Sequence, residues 1–115
     1  VLILGITFKE NCPDIRNTKV SDIVNSLISY GCRIDIVDPY ANSNEIKDLF
    51  NIDLVDINKI KNYDAVVLCV AHDKFKSISK KDWKNIINKK GILIDVKSLY
   101  AKDFFKELEI SHWRL

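Results

Sequence analysis

The stretch Gly5-Ile-Thr-Phe-Lys-Glu-Asn-Cys-Pro-Asp-Ile-Arg-Asn-Thr-Lys-Val20 decides how this chain is read. It follows an apolar run, Val1-Leu-Ile-Leu4, and leads into a segment with helical periodicity. Large apolar residues closed by Gly5 predict a buried strand. Beyond the turn, Val20, Ile23, Val24, Leu27 and Ile28 share one face of a helix predicted over Thr18 to Tyr30. Asn17 or Thr18 can cap its start, Asp22 adds negative charge there, and Gly31 stops it. The unit is therefore strand, long polar turn, helix. In open α/β sheets ligands lie at the carboxyl ends of strands. The turn also exceeds the roughly two to six residues that usually join a strand to a helix, and such length often marks function. It carries Lys9, Arg16 and Lys19 against Glu10 and Asp14, a chemistry suited to an anion such as a phosphate.

Working outward, Cys32-Arg-Ile-Asp-Ile-Val-Asp38 alternates and ends at Pro39, a second strand. Residues 43–50 have helical spacing, 53–55 predict a short third strand, and Ile57 and Ile60 a brief helix. Ala65-Val-Val-Leu-Cys-Val-Ala71 is continuously apolar, which predicts a central strand buried on both faces. A helix is predicted over 80–89 with Trp83, Ile86 and Ile87 inward. A strand follows over Ile92 to Val96, then a helix over Tyr100 to Leu108 with Phe104, Phe105 and Leu108 on one face. Strands alternating with helices give an α/β fold: a three-layer, Rossmann-like domain with a mostly parallel sheet of about five strands. The chain shows no internal repeat, low-complexity segment or linker.

At 115 residues the chain is one domain, 47% apolar and 30% charged. A net charge of +2, with its Lys and Arg dispersed, argues against a nucleic-acid partner. No apolar run approaches the length of about 18 residues that spans a bilayer, and no signal peptide is visible. Cys12, Cys32 and Cys69 form no CxxC pair and have no His at metal-ligand spacing, which predicts a reducing, cytoplasmic setting and no metal. Cys32 and Cys69 lie in apolar runs and read as core. The chain has no Met and opens on Val within a strand, so a piece of a longer protein is expected.

A Rossmann-type dinucleotide site needs G-x-G-x-x-G in the first turn. Gly5 is present, but Thr7 and Glu10 occupy the following positions, so the usual close approach to a pyrophosphate is not available here. Asp38 ends the second strand where a ribose-binding acid would stand; an Asp before Pro is more often a turn residue. Lys9 and Arg16, on one long turn beside a helix start, are candidates for anion binding, against the plain reading of solvated charge. Phe8 can pack against a base or sugar, or cover the core. His72 follows the most apolar run and can face a ligand, though a lone His without a catalytic partner reads as structural. Lys97 follows the last predicted strand at the same edge and is a second phosphate candidate. His112 has no nameable partner, and Cys12 has no nearby base. No nucleophilic triad can be assembled.

The opening turn, "LGITFKENCPDIRNTKV", resembles the start of the C-terminal domain of the UDP-glucose/GDP-mannose dehydrogenase family. "YGCRIDIVDPYA", "YDAVVLCVAHDKF", "GILIDVKSLY" and the closing "WRL" agree in order, so the resemblance covers essentially the whole chain. The wording "TFKENCPDIRNTK" and "AHDKF" looks closest to the UDP-N-acetylhexosamine 6-dehydrogenases of surface-polysaccharide synthesis. The resemblance implies that residues 1–115 are the UDP-binding domain of a longer enzyme. That enzyme has an N-terminal NAD-binding domain and a helical, dimerising middle. It oxidises the sugar's 6-hydroxymethyl group to a carboxylate in two steps with two NAD. The resemblance places the catalytic cysteine in the middle domain, on a Gly-rich motif that this chain lacks, so the piece alone is expected to be inactive. It places Phe8 and Lys9 on the UDP-sugar and Arg16 on the NAD of the neighbouring domain. Lys97 matches, loosely, a basic residue that many relatives put near the nucleotide.

Two rival readings are a receiver-type signalling module and a stand-alone nucleotide-binding domain. The first needs an acidic pair after the first strand to hold a metal, and Thr7-Phe8-Lys9 stands there instead. The second is disfavoured by the missing Met.

Overall fold

The computed structural model describes residues 1–16 and 18–115. Five strands form one sheet: β1 (Leu2–Leu4), β2 (Asp35–Val37), β3 (Tyr63–Leu68), β4 (Ile87–Asp95) and β5 (Ser111–Arg114), in the spatial order β2-β1-β3-β4-β5. Every pairing is parallel. The helices are α1 (Val20–Ser29), α2 (Ser43–Phe50), α3 (Asp73–Lys76) and α4 (Lys80–Ile86), with a three-ten turn at Ile57–Lys59.

The strand pleat divides the core in two. Leu2, Leu4, Val66, Leu68 and Leu93 face one way and pack with Phe75 of α3, Trp83 and Ile86 of α4, Tyr100 and Phe105. Ile3, Ile36 and Val67 face the other way and meet Val20 and Val24 of α1 and Ile46 of α2. With both faces covered, the central strands are continuous apolar runs. This is the three-layer arrangement expected from the alternating elements.

Several local expectations are corrected. The third strand expected at 53–55 is a single bridge, Ile36 to Leu54. The fifth strand is Ser111–Arg114, paired with Ile92–Asp95. Its sequence, Ser-His-Trp-Arg, carries no apolar run to announce it, because an edge strand is half exposed. The helix expected over 80–89 stops at Ile86, because Ile87 pairs with Tyr63 and opens β4. Ala65 pairs with Ile92, so two steps along β3 match five along β4, and Lys90 takes up the excess at φ +64°. The tail from Tyr100 to Leu108 is a run of tight turns, with N–H groups of Phe104, Lys106 and Leu108 reaching carbonyls three residues back. Phe104 and Phe105 still pack inward, since a turn of three-residue pitch presents nearly the same side chains as a helix. Cys69 lies in the core as expected, while Cys32 is half-buried against it, outside any strand. α1 starts at Val20 without a side-chain cap from Lys19, although Thr18 Oγ1 accepts from the Val20 N–H at 3.2 Å. The alternative cap, Asn17, lies outside the described residues.

Candidate functional site at the carboxyl edge of the sheet

Because the strands run parallel, β1 through β4 all end at one edge, and the long turn leaves β1 there. The exit is tight. The Gly5 N–H bonds the Val37 carbonyl at 2.9 Å on one side, while the Cys69 N–H bonds the Leu4 carbonyl at 2.9 Å on the other. Gly5 adopts φ +92°, and a Cβ on it would lie 2.6 Å from Val70 Cβ. The glycine therefore serves close packing against the end of β3.

Asp38 sits under this turn with its side chain wholly buried. Its Oδ2 accepts from the N–H groups of Ile6 (2.8 Å) and Thr7 (3.2 Å) and lies 3.0 Å from His72 Nε2. Its Oδ1 accepts from the N–H groups of Tyr40 (2.8 Å) and Ala41 (3.1 Å). Burial by itself pushes this carboxyl up, but the hydrogen bonds from His72, Ile6 and Tyr40 outweigh it and hold the group below the usual carboxylate range. Asp38 is thus a turn-organising residue, the plainer of its two sequence readings.

His72 is wholly buried and packs against Tyr40, with ring centroids 4.9 Å apart and the rings tilted by 40°. Its Nδ1 accepts from the Asn11 N–H at 2.9 Å, which puts the ring proton on Nε2, facing Asp38. Thr7 Oγ1 stands 3.1 Å from the same Nε2 and donates its own proton to the Lys9 carbonyl at 3.1 Å. Asn11 takes the left-handed conformation at φ +56°, and its Oδ1 accepts from the Asp73 N–H at 3.1 Å. The Phe8 N–H closes the loop on the Asp14 carbonyl at 2.7 Å. Thr7 and Asn11 were not singled out in the sequence. No local spacing could have shown them, since the residue they share, His72, lies 65 residues from Thr7 and 61 from Asn11 along the chain.

Above this buried base the candidate binding residues face solvent. Phe8 is 56% exposed, an unusual placement for a large apolar ring in a well-tied loop. Lys9 and Lys97 are exposed. Arg16 is exposed too, and its guanidinium grips Asp14 through Nε (3.1 Å) and Nη2 (3.2 Å). That contact lowers the Asp14 pKa and raises that of Arg16. Lys97 lies in a turn organised by Asp95, whose Oδ1 and Oδ2 accept from the N–H groups of Leu99 and Tyr100, both at 2.9 Å. His112 does have a partner: its Nε2 lies 3.2 Å from Asp95 Oδ2, joining β5 to that turn. Burial pushes the Cys69 thiol up to about 12, so it is no nucleophile. Among the described residues, no group of three or more His, Cys, Asp or Glu could hold a metal ion.

A concavity of about 950 Å³ lies elsewhere, on the flank between the three-ten turn and α3–α4, lined in part by Lys59, Lys61, Lys74 and Asp82. It is open to solvent and contains none of the tied groups just described. The carboxyl edge, with a fixed loop carrying free aromatic and cationic side chains, is the better organised site. It does not form a dinucleotide cradle, since Val70 fills the space beside the one glycine of the turn.

A parallel, doubly covered sheet with a long polar loop over its carboxyl edge defines a Rossmann-like α/β domain. Solved structures share it. The NDP-N-acetyl-D-galactosaminuronic acid dehydrogenase of Methanosarcina mazei Go1 superposes with a TM-score of 0.84 at 20% identity, covering 98% of this chain and 24% of that one. The UDP-N-acetyl-mannosamine dehydrogenase Cap5O of Staphylococcus aureus gives 0.71 at 20%, covering 98% and 25%. Closer sequence relatives include Protein CapL of Staphylococcus aureus, 42% identical over 117 residues, with 100% of this chain and 27% of that protein covered. The UDP-N-acetyl-D-glucosamine 6-dehydrogenase of Salmonella typhi is 43% identical over 97 residues, covering 84% and 23%. The chain belongs to the UDP-glucose/GDP-mannose dehydrogenase family, matching its UDP binding domain over residues 2–102. It spans about a quarter of the length of these relatives.

Proposed function

We propose that this chain is the C-terminal, UDP-sugar-binding domain of an NAD-dependent nucleotide-sugar 6-dehydrogenase. The whole enzyme oxidises the sugar 6-hydroxymethyl group to a carboxylate, on a UDP-N-acetylhexosamine or UDP-glucose, for surface polysaccharide. The observation that carries this reading is the exposed pair Phe8–Lys9 on a loop whose backbone is tied down from below, in a chain that matches the family's UDP binding domain. Phe8 offers a face to the base or sugar, and Lys9 and Lys97 offer charge to the diphosphate. Arg16 contacts NAD across an interdomain cleft, while other domains bind most of that cofactor and supply the catalytic residues. The proposed setting is the cytoplasm, in a homodimer or larger assembly; among the described residues, no helix is long and apolar enough to cross a membrane.

Titration of the 115-residue chain with UDP, followed by amide chemical shifts, tests the reading. Weak, saturable binding is expected, with shifts centred on residues 7–16 and on Lys97. Shifts confined to the flank groove around Lys59 and Asp82, or no shifts, would overturn it.

A further inference from the structure

We propose that Thr7, resting on His72, is a positioning residue that sets the main chain of Lys9 for the diphosphate, and that Asn11 anchors the far end of the same segment. The inference rests on the binding role just given to Phe8 and Lys9. Among the described residues, no side-chain hydrogen bond or ion pair holds Phe8 or Lys9; what is fixed is the backbone that carries them. Thr7 is wholly buried, yet its hydroxyl proton goes forward along the chain to the Lys9 carbonyl at 3.1 Å. Its lone pair faces the protonated Nε2 of His72 at 3.1 Å. Asn11, two residues beyond Lys9, is held at both its N–H, by His72 Nδ1 at 2.9 Å, and its Oδ1, by the Asp73 N–H at 3.1 Å.

One buried imidazole therefore grips the segment on both sides of Lys9, through a hydroxyl before it and an amide after it. The buried Asp38 in turn keeps that imidazole in the tautomer both contacts require. A flexible loop would have to be ordered when the ligand arrived, at a cost in affinity; a loop ordered in advance avoids that cost. Glu10 lies between Lys9 and Asn11 and is exposed, so the buried contacts order the backbone while leaving the side chains above it free.

The test uses two variants and two readouts. Thr7→Val keeps the side-chain shape and removes the hydroxyl. Asn11→Gly keeps the left-handed backbone and removes the carboxamide, at an exposed position where folding is not at stake. Asn11→Gly, which removes one ordinary hydrogen bond, is expected to weaken UDP binding about fivefold, and Thr7→Val, which removes the contacts to the Lys9 carbonyl and to His72, at least as much. Thr7→Ser should restore it, and amide exchange at residues 8–11 should quicken while the strands β1 and β3 keep their protection. Lys9→Ala separates this idea from the one it rests on. If Lys9→Ala weakens UDP binding while Thr7→Val and Asn11→Gly leave it unchanged, the positioning role is overturned and the binding role stands. If Lys9→Ala has no effect, both are overturned.

Discussion

Asp38 Oδ2 stands 3.0 Å from His72 Nε2, with both side chains wholly shielded from solvent. The two residues lie 34 positions apart and come from the exits of different strands. Among the described residues, Asp38 accepts from five donors, the His72 ring and the N–H groups of Ile6, Thr7, Tyr40 and Ala41. Asp38→Asn replaces one accepting oxygen by a donating amide facing other donors. It is expected to cost about 2–4 kcal/mol, because buried N–H groups are left without acceptors. Urea unfolding should show the midpoint falling with little change in slope; an unchanged midpoint would refute the account.

The same carboxylate gives a pH dependence of known sign. Its folded pKa lies below the unfolded value, so the unfolded chain takes up the proton first on acidification. The stabilisation is complete above the ordinary Asp value of about 3.9 and is lost as pH falls through the lower folded value. Asp14 and Asp73 are also lowered, by Arg16 and Lys76, but both pairs are open to solvent and salt screens them. Stability measured against pH in about 1 M salt should therefore keep an acid limb that Asp38→Asn flattens. Equal slopes for wild type and variant would contradict this.

Gly5→Ala should destabilise by more than about 2 kcal/mol, since it forces a Cβ against Val70 at a backbone angle that disfavours side chains. Gly31→Ala is the control: its φ is also positive, at +82°, but nothing lies within 4 Å of the added atom. Thermal unfolding compares the two, and equal losses would show that backbone angle alone matters.

Arg16 is engaged with Asp14, but an exposed pair of this kind is worth about 0–1 kcal/mol and exchanges readily for a better anion. In a full-length enzyme, Arg16→Ala is expected to raise the Michaelis constant for NAD more than that for the sugar nucleotide. Steady-state kinetics with each substrate varied would show it, and the reverse pattern would reassign Arg16 to the sugar side.

Alkylation at neutral pH should leave Cys69 unmodified in the folded chain, since it is buried and its thiol is pushed up to about 12. The half-buried Cys12 and Cys32 should react first. Peptide mapping before and after addition of urea reads this directly; early labelling of Cys69 would mean that the end of β3 opens.

The sheet's centre was legible because Val1–Leu4 and Ala65–Ala71 are unbroken apolar runs, which leave few alternatives. Elements at the margin were not. Ser111–Arg114 lies at an edge and has no apolar run, and Phe104, Phe105 and Leu108 have helical spacing while sitting in tight turns. The Phe8–Lys9 motif could be read locally. The group beneath it could not, because Thr7, Asp38 and His72 belong to different strand exits and their pairing exists only once the strands lie side by side.

An all-parallel sheet also dictates how the chain must fold. Leu2 pairs with Asp35 on one side and Val66 on the other, both far along the chain, so no hairpin can form early and each pairing waits for a long loop to close. Sticky apolar segments such as Val66–Leu68 stay uncovered during that search. Slow refolding, with losses to aggregation that grow with protein concentration, is the cost of this connectivity.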